Sequence, residues 1–223
     1  MRLEGRAALV TGGSRGLGAA LAAELARVGA RVVVTARDEA ALHAVVERAR
    51  GHGGEVHALA ADLAEPEAAA RLAGAAAALV GPVDLLVHNA ATLGPVPLRP
   101  LLEIEPAEMA RVVEVNLLAP FRLTRALAGS MVLRGGGLVM MVSSDAARVG
   151  YPGWGPYGIS KAALEQMSRV LAVELEPAGV RVVTVDPGEM DTRMHAEAMP
   201  EADRSTLADP AEVAATLVAS LRT

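Results

Sequence analysis

The sequence contains no cysteine among its 223 residues. That absence excludes a disulfide framework, a thiolate nucleophile and any zinc site that includes a cysteine ligand. It is typical of proteins from a reducing compartment, and we therefore expect a cytoplasmic protein. Nor do the histidines show a metal-ligand spacing, so no metal site is expected from them: His43, His52, His57, His88 and His195.

Long apolar runs and an excess of positive charge are also missing. No uninterrupted apolar stretch reaches the roughly 18 residues that a membrane helix needs, and the first six residues lack the apolar core of a signal peptide. The net charge is -5, and the arginines are scattered along the chain, so no basic surface for nucleic acid is expected. The composition predicts a protein that binds neither membranes nor nucleic acid.

Lysine and asparagine are scarce. Lys161 is the single lysine among 21 lysine and arginine residues, and Asn89 and Asn116 are the two asparagines of the chain. Arginine cannot replace lysine where a compact ammonium must fit a tight space or where a pKa must shift. In a sequence that otherwise avoids these residue types, their positions indicate a chemical requirement.

Apolar runs alternate with segments of helical periodicity along the chain. Runs rich in valine and leucine are typical of strands buried in a parallel sheet, joined by crossover helices. The length fits one large domain better than two small ones. We therefore predict an α/β fold over residues 1–223, with six parallel strands: Ala7–Thr11, Arg31–Ala36, Glu55–Ala60, Val83–His88, Gly137–Ser143 and Val180–Val185.

A glycine-rich loop follows the first predicted strand directly and leads into a helix. Glycines let the backbone approach a pyrophosphate closely, and the N-terminus of the helix offers free N–H groups and the positive end of its dipole. The order strand, loop, helix therefore predicts a dinucleotide site, with a plain tight turn as the alternative. The loop residues expected at the dinucleotide are Gly12, Ser14, Arg15, Gly16, Leu17 and Gly18.

Tyr157 and Lys161 lie four residues apart in a predicted helix, so their side chains project from one face. A tyrosine with a pKa of about 10 is a poor acid or base near neutral pH, and a neighbouring cation lowers that pKa by stabilising the phenolate. The pair therefore predicts proton chemistry at Tyr157, tuned by Lys161.

The spacing of Gly12, Gly16 and Gly18 resembles the TGxxxGxG loop of the classical short-chain dehydrogenase/reductase family. The resemblance extends over nearly the whole chain. It implies a doubly wound, Rossmann-like three-layer sandwich with strand order 3-2-1-4-5-6. It also implies hydride transfer between a nicotinamide and a carbonyl or secondary alcohol, with Tyr157 as the acid/base and Lys161 as its tuner and a ribose ligand.

Ser144 and Asn116 complete the catalytic set that the resemblance implies. Ser144 precedes Tyr157 by 13 residues, as in the family, and would bind the carbonyl oxygen of the substrate as an oxyanion-hole donor. Ser143 is the alternative. Asn116 matches the family's helical asparagine, which holds a water on a proton relay through Lys161. An amide that only satisfies backbone groups is the other interpretation.

Two arginines favour NADP(H) as the cofactor. An acidic residue after the second strand would bind the ribose 2′-hydroxyl of NAD, whereas a cation there favours the 2′-phosphate of NADP. The second strand ends at Arg37, and Arg15 lies where the family's NADP-preferring members often carry a basic residue. The alternative is a pair of solvated arginines, and the acidic Asp38 stands beside Arg37.

Three further segments match the family's cofactor contacts only by resemblance. Asp62 and Leu63 match its adenine-contacting pair, and the turn after the fourth strand matches Asn-Asn-Ala-Gly in part, with His88 at the first position. If that turn requires a positive φ at its last position, Ala91 is strained there. The matching residues of the turn and of the nicotinamide loop are Asn89, Ala90, Ala91, Pro187, Gly188, Met190 and Thr192.

Fewer sequence features indicate the substrate pocket and the oligomeric state. A short lid around residues 190–207, Trp154 and the loop of residues 92–100 are the expected walls of the substrate pocket, and the methionines of the lid would give it an adaptable apolar face. Most family members add a strand beyond the position of Thr223, so we expect that strand to be missing. A homodimer is then expected, rather than the tetramer that this strand commonly builds.

Together these features predict an NADP(H)-dependent ketone or aldehyde reductase that acts on a small-molecule carbonyl or alcohol. One alternative is a non-catalytic dinucleotide-sensing or signalling protein on the same fold, because a fold does not imply a function. A sugar epimerase or dehydratase is disfavoured, since no C-terminal substrate domain is present in the sequence.

Overall fold

The computed structural model describes residues 2–51 and 53–221. These residues form a six-stranded parallel sheet in the order β3-β2-β1-β4-β5-β6, which confirms the predicted fold. The strands are β1 (Ala7–Thr11), β2 (Arg31–Ala36), β3 (Glu55–Ala60), β4 (Leu85–His88), β5 (Gly137–Val142) and β6 (Val180–Val185). Because β1 pairs with both β2 and β4, the strand order reverses between β1 and β4, where open α/β sheets bind their ligands.

Helices cover both faces of the sheet. They are α1 (Gly16–Arg27), α2 (Glu39–Gly51), α3 (Ala68–Val80), α4 (Pro106–Val113), α5 (Ala119–Leu133), α6 (Gly155–Leu175), α7 (Arg193–Ala198) and α8 (Pro210–Leu221). Ala8 and Val10 of β1 face a core formed with α1, α2 and α8, whereas Ala7 and Leu9 face a core formed with α3, α5 and α6. Alternate strand residues thus serve opposite layers, which explains why the strand sequences are apolar throughout.

Two strand boundaries differ from the sequence-based prediction. β4 begins at Leu85 rather than Val83, because the Asp84 carboxylate accepts the N–H of Ala7 at 3.1 Å in place of a regular ladder contact. β5 ends at Val142 rather than Ser143. The chain leaves the sheet there because Ser144 caps a short 3₁₀ turn, Asp145–Ala147.

The connection between α4 and α5 is a π-helical segment, Glu114–Leu118, so the chain stays helical from Pro106 to Leu133. A capping box between Glu105 and Glu108, followed by a proline at the first turn, fixes the start of α4. π-helical insertions are rare and frequently lie at functional sites. Asn116 lies in this segment and is buried.

In the described part of the chain, β6 is one edge strand of the sheet and pairs with β5 alone, and β3 is the other edge strand. Across the same residues, no helix combines the length and the apolar character needed to cross a membrane.

Candidate active site

The residues of the glycine loop leave no room for larger side chains. A methyl group on Gly18 would overlap the carbonyl oxygen of Gly12 and the side-chain amide of Asn89. Gly12 itself has φ +66°, and a Cβ there would lie 2.8 Å from Cα of Ala90. Both positions require glycine because the start of α1, the loop and the end of β4 approach one another closely.

Asn89 and Thr11 fix this loop through hydrogen bonds. The Asn89 side-chain amide donates to the backbone oxygens of Thr11, at 3.0 Å, and Gly12, at 3.2 Å. The Thr11 hydroxyl accepts the N–H groups of Asn89 and Ala90, both at 3.1 Å. The asparagine therefore fixes the loop by hydrogen bonds between neighbouring strand ends, a role that the motif alone did not reveal.

The N-terminus of α1 opens at the same place. Arg15 is its N-cap residue, with an extended backbone, and no described side chain caps the helix there. Uncapped N–H groups and the positive end of the helix dipole suit a phosphate group. The loop geometry thus matches that of a pyrophosphate cradle.

Arg15 lies at the N-cap of α1 and Arg37 directly follows β2, as the sequence predicts, but Arg15 already has a partner. Its guanidinium contacts Asp38 at 3.3 Å, and both side chains are 49% exposed. The other Asp38 oxygen accepts the N–H of Ala41 at 3.0 Å, at the start of α2. Arg37 is exposed. An exposed pair of this kind is weak and can open for a dianionic ligand.

Asp62 and Leu63, the residues that the resemblance predicts at the adenine, are partly buried. The Asp62 carboxylate accepts the N–H of Ala64 at 3.0 Å and lies 3.6 Å from Arg111, while Leu63 packs against the core of the α3 face. No described residue other than glycine has a positive φ, so Ala91 is not strained. The backbone turn after β4 therefore accommodates alanine where the family motif has glycine.

Tyr157 and Lys161 lie together in α6, close to the end of β5. The ammonium of Lys161 is 5.5 Å from the centre of the Tyr157 ring and donates to the Val142 carbonyl oxygen at 2.6 Å. Both side chains are buried, with 8% of Tyr157 and 2% of Lys161 exposed. Burial lowers the pKa of Lys161 to about 8.

The pKa of Tyr157 does not shift in the direction that the sequence pattern indicated. Burial raises it to about 12, the nearby Ser144 hydroxyl lowers it, and the charges of Asp186 and Asp145 raise it further. Because Lys161 has a pKa of about 8, it loses its proton before the phenol does in this structure. The lysine alone therefore does not bring the tyrosine into a neutral range; further positive charge or hydrogen-bond donors are needed.

The structure separates the two candidate serines. Ser143 is buried, and its hydroxyl donates to the Glu165 carboxylate at 2.9 Å, away from the site. Ser144 lies close enough to Tyr157 to lower the pKa of the phenol. Its hydroxyl also donates to Asp145 at 2.9 Å, and Asp145 accepts the hydroxyl of Tyr151 at 2.7 Å.

Asn116 uses its side chain for protein contacts. Its oxygen accepts the N–H of Thr92 at 2.8 Å, and its amide donates to the Thr92 carbonyl oxygen and the Ser160 hydroxyl, both at 2.9 Å. Ser160 in turn donates to the Tyr157 carbonyl oxygen at 2.7 Å. The side chain therefore ties the loop after β4 to α6, and a relay water would have to use backbone groups of the irregular π-helical segment.

The segment after β6 reaches the glycine loop. A Cβ on Gly16 would lie 3.3 Å from the methyl carbon of Thr192, whose hydroxyl caps α7 by accepting the N–H of His195 at 3.2 Å. Met194 and Ala198 of α7 pack against the cluster that contains Tyr157. Pro187, Gly188 and Met190 lie in the connection between β6 and this helix, so the sequence-predicted nicotinamide loop and lid border the tyrosine.

Trp154 forms another wall beside Tyr157. The two rings meet edge to face, with centres 5.7 Å apart and planes at 68°. Leu93 and Leu98, from the loop after β4, belong to the same cluster. The sequence-predicted walls of the substrate pocket therefore meet at Tyr157.

His88 is a site residue that sequence reasoning did not identify. It is buried at the end of β4, and its Nε2 atom lies 2.8 Å from the Thr124 hydroxyl oxygen. Burial lowers its pKa to about 3, and the charge of Lys161 contributes. The signal was present in the motif, because histidine stands where the family turn has asparagine.

A metal role has no support among the described residues, which contain no ligand cluster; His52 lies outside them.

The fold and the site define a Rossmann-like dinucleotide-binding domain with an adjacent tyrosine and lysine. A family model described as short chain dehydrogenase matches residues 6–203. An uncharacterized oxidoreductase of Mycobacterium tuberculosis is 38% identical over 192 residues, which cover 86% of this chain and 72% of that protein.

Two solved structures of similar proteins contain NADP. A metagenomic short-chain oxidoreductase in complex with NADP has a TM-score of 0.85 and 36% identity, and the match covers 99% of this chain and 91% of that one. A short chain dehydrogenase of Shigella flexneri complexed with NADP has a TM-score of 0.88 and 34% identity, over 95% and 88% of the two chains. The chain belongs to the short-chain dehydrogenase/reductase family and is an oxidoreductase of that family.

Proposed function

We propose that this protein is an NADP(H)-dependent carbonyl reductase, which transfers a hydride between nicotinamide C4 and the carbon of a carbonyl or secondary alcohol. The observation that carries the proposal is the buried Tyr157, with the Lys161 ammonium 5.5 Å from its ring and the Ser144 hydroxyl beside it. Thr192 contacts Gly16 of the glycine loop, and Met194, two residues later, packs against the cluster that contains Tyr157. The substrate is a small molecule, held under a lid around residues 190–207.

The residues present fit a dinucleotide. The glycine loop approaches β4 too closely for any Cβ at Gly18, and the N-terminus of α1 lacks a side-chain cap among the described residues. The nicotinamide ring supplies the hydride in reduction and accepts it in oxidation. The residues proposed to hold the cofactor are Gly12, Ser14, Arg15, Gly16, Leu17, Gly18, Arg37, Asp62, Leu63, Asn89, Ala90, Ala91, Tyr157, Lys161, Pro187, Gly188, Met190 and Thr192.

In reduction, Tyr157 gives its phenolic proton to the carbonyl oxygen of the substrate as the hydride reaches the carbonyl carbon. A pKa of about 12 keeps the phenol protonated at neutral pH, so the acid is present in the required form. Ser144 supplies a hydrogen bond to the same oxygen, which stabilises the developing alkoxide. The product alcohol thus contains one hydride and one proton, and the phenolate left behind must regain a proton.

In the proposed mechanism, Lys161 and Asn116 help the Tyr157 phenolate to regain its proton. A protonated Lys161 beside the phenolate stabilises its negative charge, because the two groups lie in a buried and poorly solvated space. Asn116 fixes the loop after β4 against α6, and the backbone around it would carry the water of a proton relay.

The preference for NADP(H) rests on Arg15 and Arg37. Both cations follow strands whose ends border the glycine loop, and two structurally similar proteins were solved with NADP. Asp38 opposes this preference by holding Arg15 at 3.3 Å. The 2′-phosphate, a dianion, would compete for the same guanidinium.

We further propose that the protein forms a homodimer through α5 and α6 in the cytoplasm. Apolar side chains on these helices remain exposed in the single chain, including Leu133 at 89% and Val173 at 72%. Exposed apolar patches of this kind are typical of subunit interfaces. Size-exclusion chromatography with light scattering tests the mass; a monomer at micromolar concentration would contradict it.

NADPH oxidation against ketones, aldehydes, diketones, quinones and β-ketoacyl thioesters tests the activity. We expect turnover of at least one class. NADPH binding without turnover of any class would contradict the reductase and favour the non-catalytic sensor.

A further inference from the structure

Arg148 connects two turns that border the candidate active site. It follows the short turn capped by Ser144, and its backbone N–H donates to the Asp145 carbonyl oxygen at 2.8 Å. Its guanidinium donates to the Asp186 carboxylate at 2.7 Å, at the end of β6. One side chain therefore fastens the turn of the catalytic serine to the turn that leads into the lid.

Asp186 organises the second of these turns. Its other carboxylate oxygen accepts the N–H of Gly188 at 3.1 Å. Pro187 and Gly188 begin the segment that reaches Thr192 and the glycine loop. The Asp186 carboxylate accepts hydrogen bonds from a guanidinium and from a backbone N–H, and these two interactions fix its position.

The buried carboxylate of Glu165 also contacts Arg148. Glu165 lies four residues after Lys161 on α6, and its side chain is only 9% exposed. It accepts the Ser143 hydroxyl at 2.9 Å and Arg169 at 2.8 Å, and the Arg148 guanidinium approaches it to 3.8 Å. Tyr157, Lys161 and Glu165 are spaced four residues apart and therefore lie along one face of α6. Arg148 lies beside Glu165 on this face and contacts Asp186.

Charge makes this arrangement relevant to Tyr157. Asp186 and Asp145 both raise the pKa of the phenol, after the larger effect of burial. Arg148 contacts Asp186 and lowers the pKa of Asp145. The Lys161 ammonium, on the same helix as Tyr157, also lies beside the phenol, and its charge contributes to the lowered pKa of the buried His88. Arg148 is therefore placed to offset the two carboxylates that oppose ionisation of the tyrosine.

We propose that Arg148 is a positioning residue for the reaction, which screens Asp186 from Tyr157 and holds the Ser144 turn against the lid turn. The catalytic consequence rests on the proposed reductase function, whereas the effect on tyrosine ionisation does not. Because Arg148 has a side chain that is 58% exposed, its truncation leaves no buried void, and the variants should fold.

Tyrosine ring ¹³C NMR measures the proposed effect without a substrate. The chain has two tyrosines, Tyr151 and Tyr157, so two signals are expected, and Tyr151→Phe assigns them. At about pH 11, Arg148→Ala should lower the phenolate fraction of Tyr157 about threefold, and Asp186→Asn should raise it by a similar factor. Arg148→Lys, which keeps the charge, should restore most of the parent value.

A matched variant and a double variant separate screening from general damage. Arg169→Ala removes an arginine whose carboxylate partner is Glu165 rather than Asp186, so it should leave the Tyr157 signal unchanged. Arg148→Ala combined with Asp186→Asn should give a phenolate fraction close to that of Asp186→Asn alone. Equal effects of Arg148→Ala and Arg169→Ala, or a double variant that matches Arg148→Ala, would overturn the inference.

Carbonyl reduction supplies the second readout. Arg148→Ala should lower kcat with little change in the KM for NADPH, and Arg148→Lys should recover kcat. If the NMR order holds but no carbonyl compound is reduced by the parent protein, the proposed function fails and the screening role stands. Normal turnover together with unchanged tyrosine ionisation in every variant overturns the screening role and leaves the reductase intact.

Discussion

The Ser144 hydroxyl donates its hydrogen bond to the Asp145 carboxylate across 2.9 Å. A serine hydroxyl has one hydrogen, and a carboxylate can only accept. Ser144 can therefore donate to a substrate oxygen only after it turns away from Asp145. The Tyr151 hydroxyl, 2.7 Å from the other Asp145 oxygen, remains as a partner for the carboxylate when this happens.

This relationship predicts different results for neighbouring substitutions. Ser144→Ala should lower kcat/KM about 100-fold, because an oxyanion-hole donor is lost. Asp145→Ala should keep kcat/KM within about tenfold of the parent value, since its carboxylate is an alternative acceptor and not a reacting group. Steady-state kinetics with NADPH and the best carbonyl substrate measure both. A larger loss in Asp145→Ala than in Ser144→Ala would mean that the carboxylate, and not the serine, positions the substrate.

The close approach at Gly18 predicts the loss of the cofactor site. Gly18→Ala places a methyl group against the Gly12 carbonyl oxygen, so we expect NADPH binding to weaken at least tenfold and stability to fall by about 1–3 kcal/mol. Gly74→Ala is the matched control, because its Cβ meets nothing within 4 Å in α3. It should stabilise the protein by up to about 1 kcal/mol. Fluorescence titration and urea unfolding give the two quantities; normal NADPH affinity in Gly18→Ala contradicts the cradle.

The Arg15–Asp38 ion pair predicts how cofactor preference changes. Asp38→Asn should raise the preference for NADPH over NADH about threefold, because Arg15 is released while asparagine can still accept the N–H of Ala41. Arg37→Asp should lower the preference at least tenfold. Dissociation constants for both cofactors provide the ratio. If Arg37→Asp leaves this ratio unchanged, Arg37 is not part of the phosphate site.

His88 predicts a loss of stability in acid. Its pKa falls from 6.5 in the unfolded chain to about 3 in the folded protein, because of burial and the charge of Lys161. The unfolded chain therefore binds the proton more tightly between these values, and stability is full above pH 6.5 and declines as the pH falls toward 3. From pH 7 to pH 4.5 the decline due to His88 should be about 3 kcal/mol.

His88→Asn tests that assignment. The variant has no group that titrates at this position, so its free energy of unfolding should decline less over the same interval, by about 3 kcal/mol. Urea unfolding at both pH values provides the comparison. His43→Asn serves as the control, since His43 is exposed on α2. Equal acid sensitivity in the parent protein and His88→Asn would contradict the buried neutral histidine.

The fold could be predicted from the sequence because the apolar runs and the glycine loop are local patterns. Each of the six predicted strands shares at least one end with the observed strand, and the observed strand order is the one that the resemblance to the short-chain dehydrogenase/reductase family implied. The errors arose where a side chain replaces a backbone partner. Asp84 does so before β4, and Ser144 does so after β5.

The site was less visible because much of it depends on contacts between distant residues. The motif named Asn89, but only the structure shows its amide bonded to the glycine loop. Arg148, Asp186 and Glu165 belong to three different elements, and no local pattern links them. The pKa of Tyr157 was assigned the wrong direction, since sequence spacing reveals the neighbouring lysine but not the depth of burial.

The most direct test of the account compares the two tyrosines of the chain. Tyr157→Phe should lower kcat for NADPH-dependent carbonyl reduction at least about 100-fold, because the proton donor is removed. NADPH affinity should stay within about threefold, since the phenylalanine ring keeps the packing against Trp154. Tyr151→Phe should retain most of the activity. Parent-like reduction by Tyr157→Phe would contradict the central claim that Tyr157 carries the proton.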